Sequence, residues 1–200
     1  TNGQLVKTDV LIDDGQIQAL GDLGDLGDEV GRVINASGKL VVPGLVDVHV
    51  HYRDPGQTQK ETITTGSAAA AHGGFTTVGA MPNVIPVPDD AEKFTKQIEL
   101  NKKNSVIHTL QYAPVTKDET SDELVDIEKL SKLGAFAFSN DGHGIMNAKS
   151  MFDAMERIAA INSHLAAHVE DKNLFNKGVI NFGPAAIRLG LPGIQQVAET

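Results

Sequence analysis

The sequence predicts an α/β protein, namely an incomplete (β/α)8 TIM-type barrel of about five of the eight units, preceded by a small β-sandwich-like subdomain. Residues 1–43 carry strand patterns only. From residue 44 onward, strand patterns alternate with helical patterns, which is typical of a parallel sheet covered by helices. Polar residues also follow several of these strands, as they do on the active-site face of a barrel.

Residues 1–43 are predicted to form the N-terminal part of the small β domain, which ends at Pro43-Gly44. A hairpin is predicted over 10–20, because Asp14-Gly15 is a turn sequence between two apolar alternating runs. The other features predicted here are short strands at 33–34 and 40–42 and a mobile, glycine-rich acidic loop over 21–28.

Residues 44–200 are predicted to form the N-terminal portion of the barrel, as successive units of strand and helix. The strands are predicted at 45–51, 75–81, 105–113, 135–139 and 164–169. Three helices are predicted to begin at capping boxes, in which a polar residue is followed three positions later by Glu. These pairs are Thr58 and Glu61, Asp89 and Glu92, and Thr120 and Glu123. The helices are predicted at 59–72, from 90 to about 103, from 121 to about 133, at 150–162 and near Ile194.

An open doubly wound sheet is the alternative architecture for the same alternation. Folds of that kind that bind dinucleotides carry Gly-x-Gly-x-x-Gly after the first strand, and this sequence has no such turn there. A whole barrel takes about 250 residues, which is more than the residues after 44 provide. We therefore expect the chain to be part of a longer protein.

Composition excludes several classes of function. The chain of 200 residues has a net charge of -9 and no cysteine. The acidic balance disfavours nucleic acid and anionic membrane as partners, and the lack of cysteine excludes disulfides and thiolate metal ligands. No apolar run approaches the ~20 residues of a membrane span. A cytoplasmic protein is expected.

His49 and His51 are the first candidates for a metal site. Side chains alternate between the two faces of a strand, so two histidines two residues apart can point ring nitrogens at one ion. Two histidines spaced in this way, with no other evidence, are more often unrelated to a metal. The clean alternation of polar and apolar residues around them is what favours a metal site. The predicted polar face comprises Asp47, His49, His51 and Arg53, and the apolar face Val46, Val48, Val50 and Tyr52.

Three more polar residues follow predicted strands. They are Asn83, Asp141 and His168. Each has an ordinary explanation by itself, as a loop cap, a turn residue before glycine and a buried histidine, respectively. Their shared placement at strand ends favours one site, since these ends meet at one mouth of a barrel. Three histidines and an aspartate suit zinc, and also manganese or cobalt. His143 could flank this site.

Several segments together resemble a known family. Val42-Pro-Gly-Leu-Val-Asp-Val-His-Val-His resembles the start of the barrel in the amidohydrolase superfamily. Further motifs narrow the resemblance to bacterial class I dihydroorotases. They are His51-Tyr-Arg-Asp-Pro-Gly-Gln-Thr, Lys60-Glu-Thr, Gly73-Gly-Phe-Thr-Thr-Val, Ala80-Met-Pro-Asn, Phe138-Ser-Asn-Asp-Gly and Ala167-His-Val-Glu-Asp.

The resemblance implies the interconversion of N-carbamoyl-L-aspartate and (S)-dihydroorotate in de novo pyrimidine (UMP) synthesis, with one or two Zn²⁺ ions. It implies that residues 44–200 belong to a metal-dependent amidohydrolase barrel. His49 and His51 would bind the first zinc, Asp141 would bridge the metals, and His168 would bind the second.

The resemblance also assigns the substrate contacts. Arg53 and Asn83 would hold the substrate carboxylate, and His51 would lie against the substrate. The guanidinium group suits this role because its planar fork matches a carboxylate. The general-base aspartate of the family is expected beyond Thr200, so the 200-residue piece alone is expected to be inactive.

Two alternatives remain open. An allantoinase or hydantoinase would share the barrel, but many such relatives bridge their metals with a carboxylated lysine, and no lysine lies between Lys132 and Lys149. A non-catalytic scaffold for aspartate transcarbamoylase would be expected to lose ligands, whereas the four candidates are present. A homodimer and an aspartate transcarbamoylase partner are both compatible with the family.

Overall fold

The computed structural model describes residues 3–24, 26, 29–175 and 177–199. The chain divides into two compact units, Thr1–Val42 and Pro43–Thr200. Within the described residues, no helix is both long enough and apolar enough to cross a bilayer.

The first unit contains the predicted hairpin. Strand β1 (Asp9–Asp13) pairs antiparallel with β2 (Gln16–Gly21). Asp14 and Gly15 connect them with φ angles of 47° and 70°, as a two-residue type I′ turn requires. The prediction of a hairpin with an Asp-Gly turn is therefore confirmed.

The strands predicted at 33–34 and 40–42 are wrong. Both stretches are irregular, and their apolar side chains are exposed. An apolar stretch forms a strand only where a neighbouring strand can pair with it, and the described residues of this unit offer no such strand to 33–34 or 40–42. The described part of the unit therefore contains a hairpin and no sandwich. Of the loop predicted over 21–28, residues 25, 27 and 28 lie outside the described residues.

The second unit is built on a parallel sheet. Strands β3 (Leu45–Val50), β4 (Phe75–Ala80) and β5 (His108–Gln111) lie side by side in chain order. Leu45 pairs with Phe75, and Thr77 pairs with His108. The alternation of strand and helix is therefore confirmed for these units. Because these strands are parallel, their carboxyl ends, at Val50, Ala80 and Gln111, lie at the same edge of the sheet.

The strands predicted at 135–139 and 164–169 are reduced to isolated bridges. Phe138 forms parallel bridges with Ala113 on one side and Leu165 on the other. The amide of Ser139 donates to Ala113 O at 2.9 Å, and the amide of Ala166 donates to Phe138 O at 2.9 Å. These segments still extend the sheet in chain order, but their backbone is too irregular for a continuous ladder.

Four helices connect and cover these segments. They are α1 (Ile63–His72), α2 (Ala91–Asn104), α3 (Ile127–Lys132) and α4 (Ala148–Ala160). The smaller elements that follow are α5 (Lys172–Phe175), β6 (Ile180–Asn181), α6 (Pro184–Leu189) and β7 (Gly193–Ile194). Ile194 itself pairs with Asn181 in parallel, and the helix predicted near it is a short 3-10 helix at Gln196–Glu199.

The predicted capping boxes do not mark the helix starts. The side chain of Thr62 caps α1 in a capping box with Thr65, Asp90 caps α2, and Asp126 caps α3. Several polar residues lie near each start, and the pattern cannot choose among them. In α2, the carboxylate of the predicted cap Asp89 instead accepts from Lys93 Nζ at 2.6 Å.

Three apolar clusters support the sheet. The largest lies between helices α2, α3 and α4 and the segments of Ala113 and Phe138. The second lies beneath β3 and β4, and a small third cluster comprises Met81, Tyr112 and Ala137. Full burial of one large apolar side chain stabilises a fold by about 1.5–3 kcal/mol, so these clusters hold the strand ends firmly. The central side chains are Phe94, Ile127, Leu130, Phe138 and Ile158 in the first cluster and Tyr52, Ile63 and Val78 in the second.

Candidate metal centre

His49 and His51 lie together at the end of β3. His49 is the fifth residue of the strand, and His51 follows its last residue. Because side chains alternate along a strand, the two rings share one side, and their Nε2 atoms are 3.3 Å apart. The structure thus brings this predicted pair together with both Nε2 atoms aimed at the same region.

Asp141 reaches this pair from a turn. Asn140 O accepts from His143 N at 2.9 Å, and Gly142 has a φ of 77°. Asp141 Oδ1 lies 3.6 Å from His49 Nε2, and Oδ2 lies 3.3 Å from His51 Nε2. Asp141 is therefore a turn residue and also the carboxylate that faces both histidines.

His168 lies on the other side of Asp141. Its Nδ1 is 3.7 Å from Asp141 Oδ1, and its Nε2 is 3.6 Å from Glu170 Oε2. The Asp141 carboxylate thus lies between His168 and the β3 pair. Glu170 was not among the predicted site residues. Its spacing of two residues from His168 in an extended segment is a signal that could have indicated it.

Asn83 orients two of these groups. Its Nδ2 donates to Asp141 Oδ2 at 3.1 Å, and its Oδ1 lies 2.9 Å from His51 Nδ1. Since Oδ1 can only accept, the bond requires the proton on His51 Nδ1 and leaves a lone pair on Nε2. A hydrogen bond of this kind commonly fixes the orientation of a metal-binding histidine.

Arg53 lies at the same site by a route that the sequence did not predict. Strand β3 ends at Val50, and Arg53 has a φ of 60°, so alternation along the strand does not place it. Its Nη1 donates to Asn83 O at 3.1 Å. Among the described residues, no carboxylate oxygen lies within 4.0 Å of this guanidinium. The group is therefore available to bind an anion.

Glu119 is a second residue that was not among the predicted site residues. Its side chain is buried, and its Oε2 lies 4.0 Å from His143 Nδ1. Its pKa is raised to about 8, chiefly by burial and also by the charge of Asp141, whereas the charge of Arg53 opposes the shift. A signal was present, because Glu119 follows β5 at the edge where the other site residues follow their strands.

The donor set fits a zinc ion. His49, His51 and Asp141 each offer a ligand atom, and these atoms lie within 4.8 Å of one another. Zinc bonds of about 2.0–2.2 Å in a tetrahedral arrangement place neighbouring ligands about 3.3–3.6 Å apart. The two histidine Nε2 atoms are 3.3 Å apart. Asp141 Oδ1 lies 3.6 Å from His49 Nε2 and Asp141 Oδ2 lies 3.3 Å from His51 Nε2, so all three distances are close to this value.

Comparisons with known proteins agree on one family. Residues 38–200 match a family model described as dihydro-orotase-like. The chain is 57% identical to a dihydroorotase of Lactobacillus johnsonii over 199 residues, which is 100% of the chain and 46% of that relative. It is 56% identical to a dihydroorotase of Lactobacillus helveticus over 201 residues, with the same coverage. The chain thus spans about half the length of these relatives.

Solved structures share the fold. An L-hydantoinase (dihydropyrimidinase) from Arthrobacter aurescens superposes with a TM-score of 0.75 at 25% identity, over 88% of this chain and 40% of that one. A D-hydantoinase superposes with a TM-score of 0.70 at 22% identity, over 95% of this chain and 41% of that one. These similarities show an α/β architecture in common with the hydantoinases.

Proposed function

The chain belongs to the dihydro-orotase-like family, and from this premise we propose that its protein is a dihydroorotase, which interconverts N-carbamoyl-L-aspartate and (S)-dihydroorotate in pyrimidine synthesis. The observation that carries the proposal is the carboxylate of Asp141, which faces three histidines, together with the nearby Arg53, which pairs with no carboxylate among the described residues. Because the chain spans 46% of its curated relatives, the activity is proposed for the protein as the cell makes it.

Zinc is the metal that we propose for this site. His49, His51 and Asp141 would hold a first ion, and His168 with Asp141 would contribute to a second. A bound zinc ion lowers the pKa of water to about 7 and polarises a carbonyl oxygen. The chain's own contribution is to orient these ligands, chiefly through the contacts of Asn83 with His51 and Asp141.

Arg53 is proposed to bind the substrate carboxylate, and His51 to lie against the bound substrate. The guanidinium of Arg53 carries a full charge, and within the described residues it is tied to a single acceptor, Asn83 O. A planar fork of donors matches the two oxygens of a carboxylate. Both N-carbamoyl-L-aspartate and dihydroorotate carry such a group, so Arg53 would position either one beside Asp141. Asn83 would also contact the substrate.

We infer that the parallel units form part of an eight-unit barrel and that the first unit belongs to a small β domain. The superposition on hydantoinases and the continuous strand order support this arrangement. A cytoplasmic location, a homodimer and an association with aspartate transcarbamoylase also remain proposals.

A hydantoinase-type activity is the alternative, since solved hydantoinases share the fold. The aspartate at position 141 favours dihydroorotase. Assays with dihydroorotate, allantoin and hydantoin in parallel would separate the two, and hydrolysis of hydantoin without hydrolysis of dihydroorotate would contradict the proposal.

Asp141→Asn tests the proposed centre directly. Loss of an outer hydrogen-bond partner of a metal ligand costs about 10–100-fold in metal affinity, so loss of the ligand charge itself should cost more. We expect D141N to lose zinc and dihydroorotate hydrolysis together, as measured by metal analysis and a spectrophotometric assay. The matched control is D153N, because Asp153 pairs with Lys149 on α4. A wild-type protein that binds no metal would contradict the proposal.

A further inference from the structure

Asn140 directly precedes the proposed ligand Asp141, and its side chain is buried at 4% exposure. Its Oδ1 accepts from the backbone N–H of Val115 at 2.8 Å and of Thr116 at 3.2 Å. Its Nδ2 donates to Thr116 Oγ1 at 2.7 Å and to Glu119 O at 3.2 Å. An amide side chain has two donor hydrogens and two acceptor lone pairs, and all four are used.

All four bonds reach a single segment, residues 115–119, which follows β5. Two consecutive residues of this segment, Asp118 and Glu119, have φ angles of 52° and 58°. Such left-handed conformations cost on the order of 1–3 kcal/mol each when the residue is not glycine, and persist where the surroundings enforce them. The bond from Asn140 Nδ2 to Glu119 O is one such enforcing contact.

The partners also fix which way the amide of Asn140 points. A backbone N–H can only donate, and a backbone carbonyl can only accept. Val115 and Thr116 therefore require the oxygen on their side, and Glu119 O requires the nitrogen. The side chain cannot flip without losing its bonds, so its position relative to the 115–119 segment is set.

The same residue begins the turn that presents Asp141. Asn140 O accepts from His143 N at 2.9 Å, which places Asp141 and Gly142 at the centre of the turn. The side chain of Asn140 thus anchors the first residue of this turn to the 115–119 segment. The orientation of the Asp141 carboxylate toward His49 and His51 depends on where the turn begins.

We propose that Asn140 is a positioning residue for the metal centre, which holds Asp141 in register with His49 and His51 by tying its turn to the segment after β5. The inference rests on the proposed metal function. Removal of outer hydrogen-bond partners typically lowers metal affinity by about 10–100-fold, and N140A is expected to fall in this range although it removes no ligand.

The control for N140A is N101A. Asn101 is also a buried asparagine, at 2% exposure, and its Nδ2 donates to Gln111 Oε1 at 2.8 Å. Both substitutions remove a buried amide, but Asn101 lies in α2, and within the described residues its side chain bonds to Gln97 and Gln111 rather than to the 115–119 segment. A loss of stability alone should therefore appear in both variants, and a loss of metal affinity only in N140A.

The experiment measures zinc affinity by competition with a chelator and the visible spectrum of the Co²⁺-loaded protein, both in the protein as the cell makes it. We expect N140A to bind zinc about 10–100-fold more weakly and to shift the cobalt bands, whereas N101A matches the wild type. T116V, compared with T116S, removes one of the four bonds without altering charge and should weaken zinc binding less than N140A does.

The inference is overturned if N140A and N101A bind zinc equally well and give the same cobalt spectrum. If N140A does not fold, the comparison of T116V with T116S decides, and equal affinities overturn the inference. A wild-type protein that binds neither metal would instead refute the proposed function, so the two failures are distinguishable.

Discussion

Asn83 connects the two sides of the candidate centre through a single amide group. Its side-chain oxygen faces His51 Nδ1, and its side-chain nitrogen donates to Asp141 Oδ2. Its backbone carbonyl accepts from Arg53. His51 and Asp141 come from different strand ends, and Asn83 contacts both of them. At the scale of residues, the site therefore depends on groups that bind no metal themselves.

Arg53→Lys tests the role of the Arg53 guanidinium in binding a carboxylate. Lysine retains the charge but lacks the planar fork. A hydrogen bond to a charged group contributes about 1.5–3 kcal/mol, so loss of one should raise the KM for dihydroorotate about 10–100-fold and leave the zinc content unchanged. Steady-state kinetics with R157K as the control checks this, since Arg157 pairs with Glu128 away from the site. An unchanged KM in R53K would remove Arg53 from substrate binding.

Glu119 should make the stability of the metal-free protein depend on pH. Its pKa is about 8 in the folded protein and 4.5 ordinarily. Between these values the folded state retains a proton that the unfolded state has released. The contribution of Glu119 to the free energy of unfolding is therefore fully present below pH 4.5 and is lost as the pH rises through 8. The charged neighbours that shift this pKa are Asp141 and Arg53, and His143 faces the carboxyl.

Glu119→Gln should therefore flatten this dependence. A neutral amide loses no proton, so at pH 8 we expect E119Q to be more stable than the wild type by on the order of a few kcal/mol. Urea unfolding at pH 5 and pH 8 in the presence of a chelator measures the difference. The control is E156Q, at an exposed position of α4, and equal slopes for E119Q and the wild type would contradict the prediction.

At the scale of elements, the helix α2 shows how the sequence pattern misplaces a boundary. Asp89 and Asp90 are both good N-cap residues by type. The structure uses Asp90, whose Oδ1 accepts from Lys93 N at 2.8 Å, while Asp89 accepts from Lys93 Nζ and from Asp118 N at 3.0 Å. Only the fold reveals that Asp89 has a second partner 29 residues away.

Substitutions at these two aspartates should separate the roles. D90A should lower the free energy of unfolding by about 1 kcal/mol, whereas D90N should lower it little because asparagine caps equally well. D89A should lower the free energy of unfolding more than D90A does, since Asp89 is itself buried and accepts from both Lys93 Nζ and Asp118 N. Urea denaturation of the three variants measures this order. A D90A variant as stable as D90N would show that Asp90 does not act as a cap.

At the largest scale, β3 has a partner strand on one side only among the described residues of the 200-residue chain. Among the described residues β3 pairs only with β4. Its residues Leu45, Val46 and Val48 are 51%, 59% and 54% exposed. An exposed apolar edge strand promotes association between chains.

We expect the 200-residue polypeptide to self-associate through β3 as its concentration rises. V48K should reduce association, because a lysine on an edge strand opposes pairing. Val106 is exposed outside the strands, and V106K serves as the control. Sedimentation velocity over a concentration series checks the prediction, and equal association in all three polypeptides would place the contact elsewhere.

Features that depend on near neighbours could be predicted from the sequence. The Asp14-Gly15 hairpin, the alternation of strand and helix, and the shared side of His49 and His51 all follow from spacings of a few residues. Local backbone geometry has fixed periods of 2.0 and 3.6 residues, so such spacings can be read directly along the chain.

Features that join distant segments could not be predicted in this way and are visible only in the folded chain. The tautomer of His51 depends on Asn83, the surroundings of Asp141 depend on three other segments, and Glu119 is buried beside a loop 24 residues further along the chain, where His143 lies. Arg53 lies at the site through a left-handed backbone conformation rather than through alternation along the strand. These arrangements arise from contacts between residues far apart in the chain, which periodic patterns do not encode.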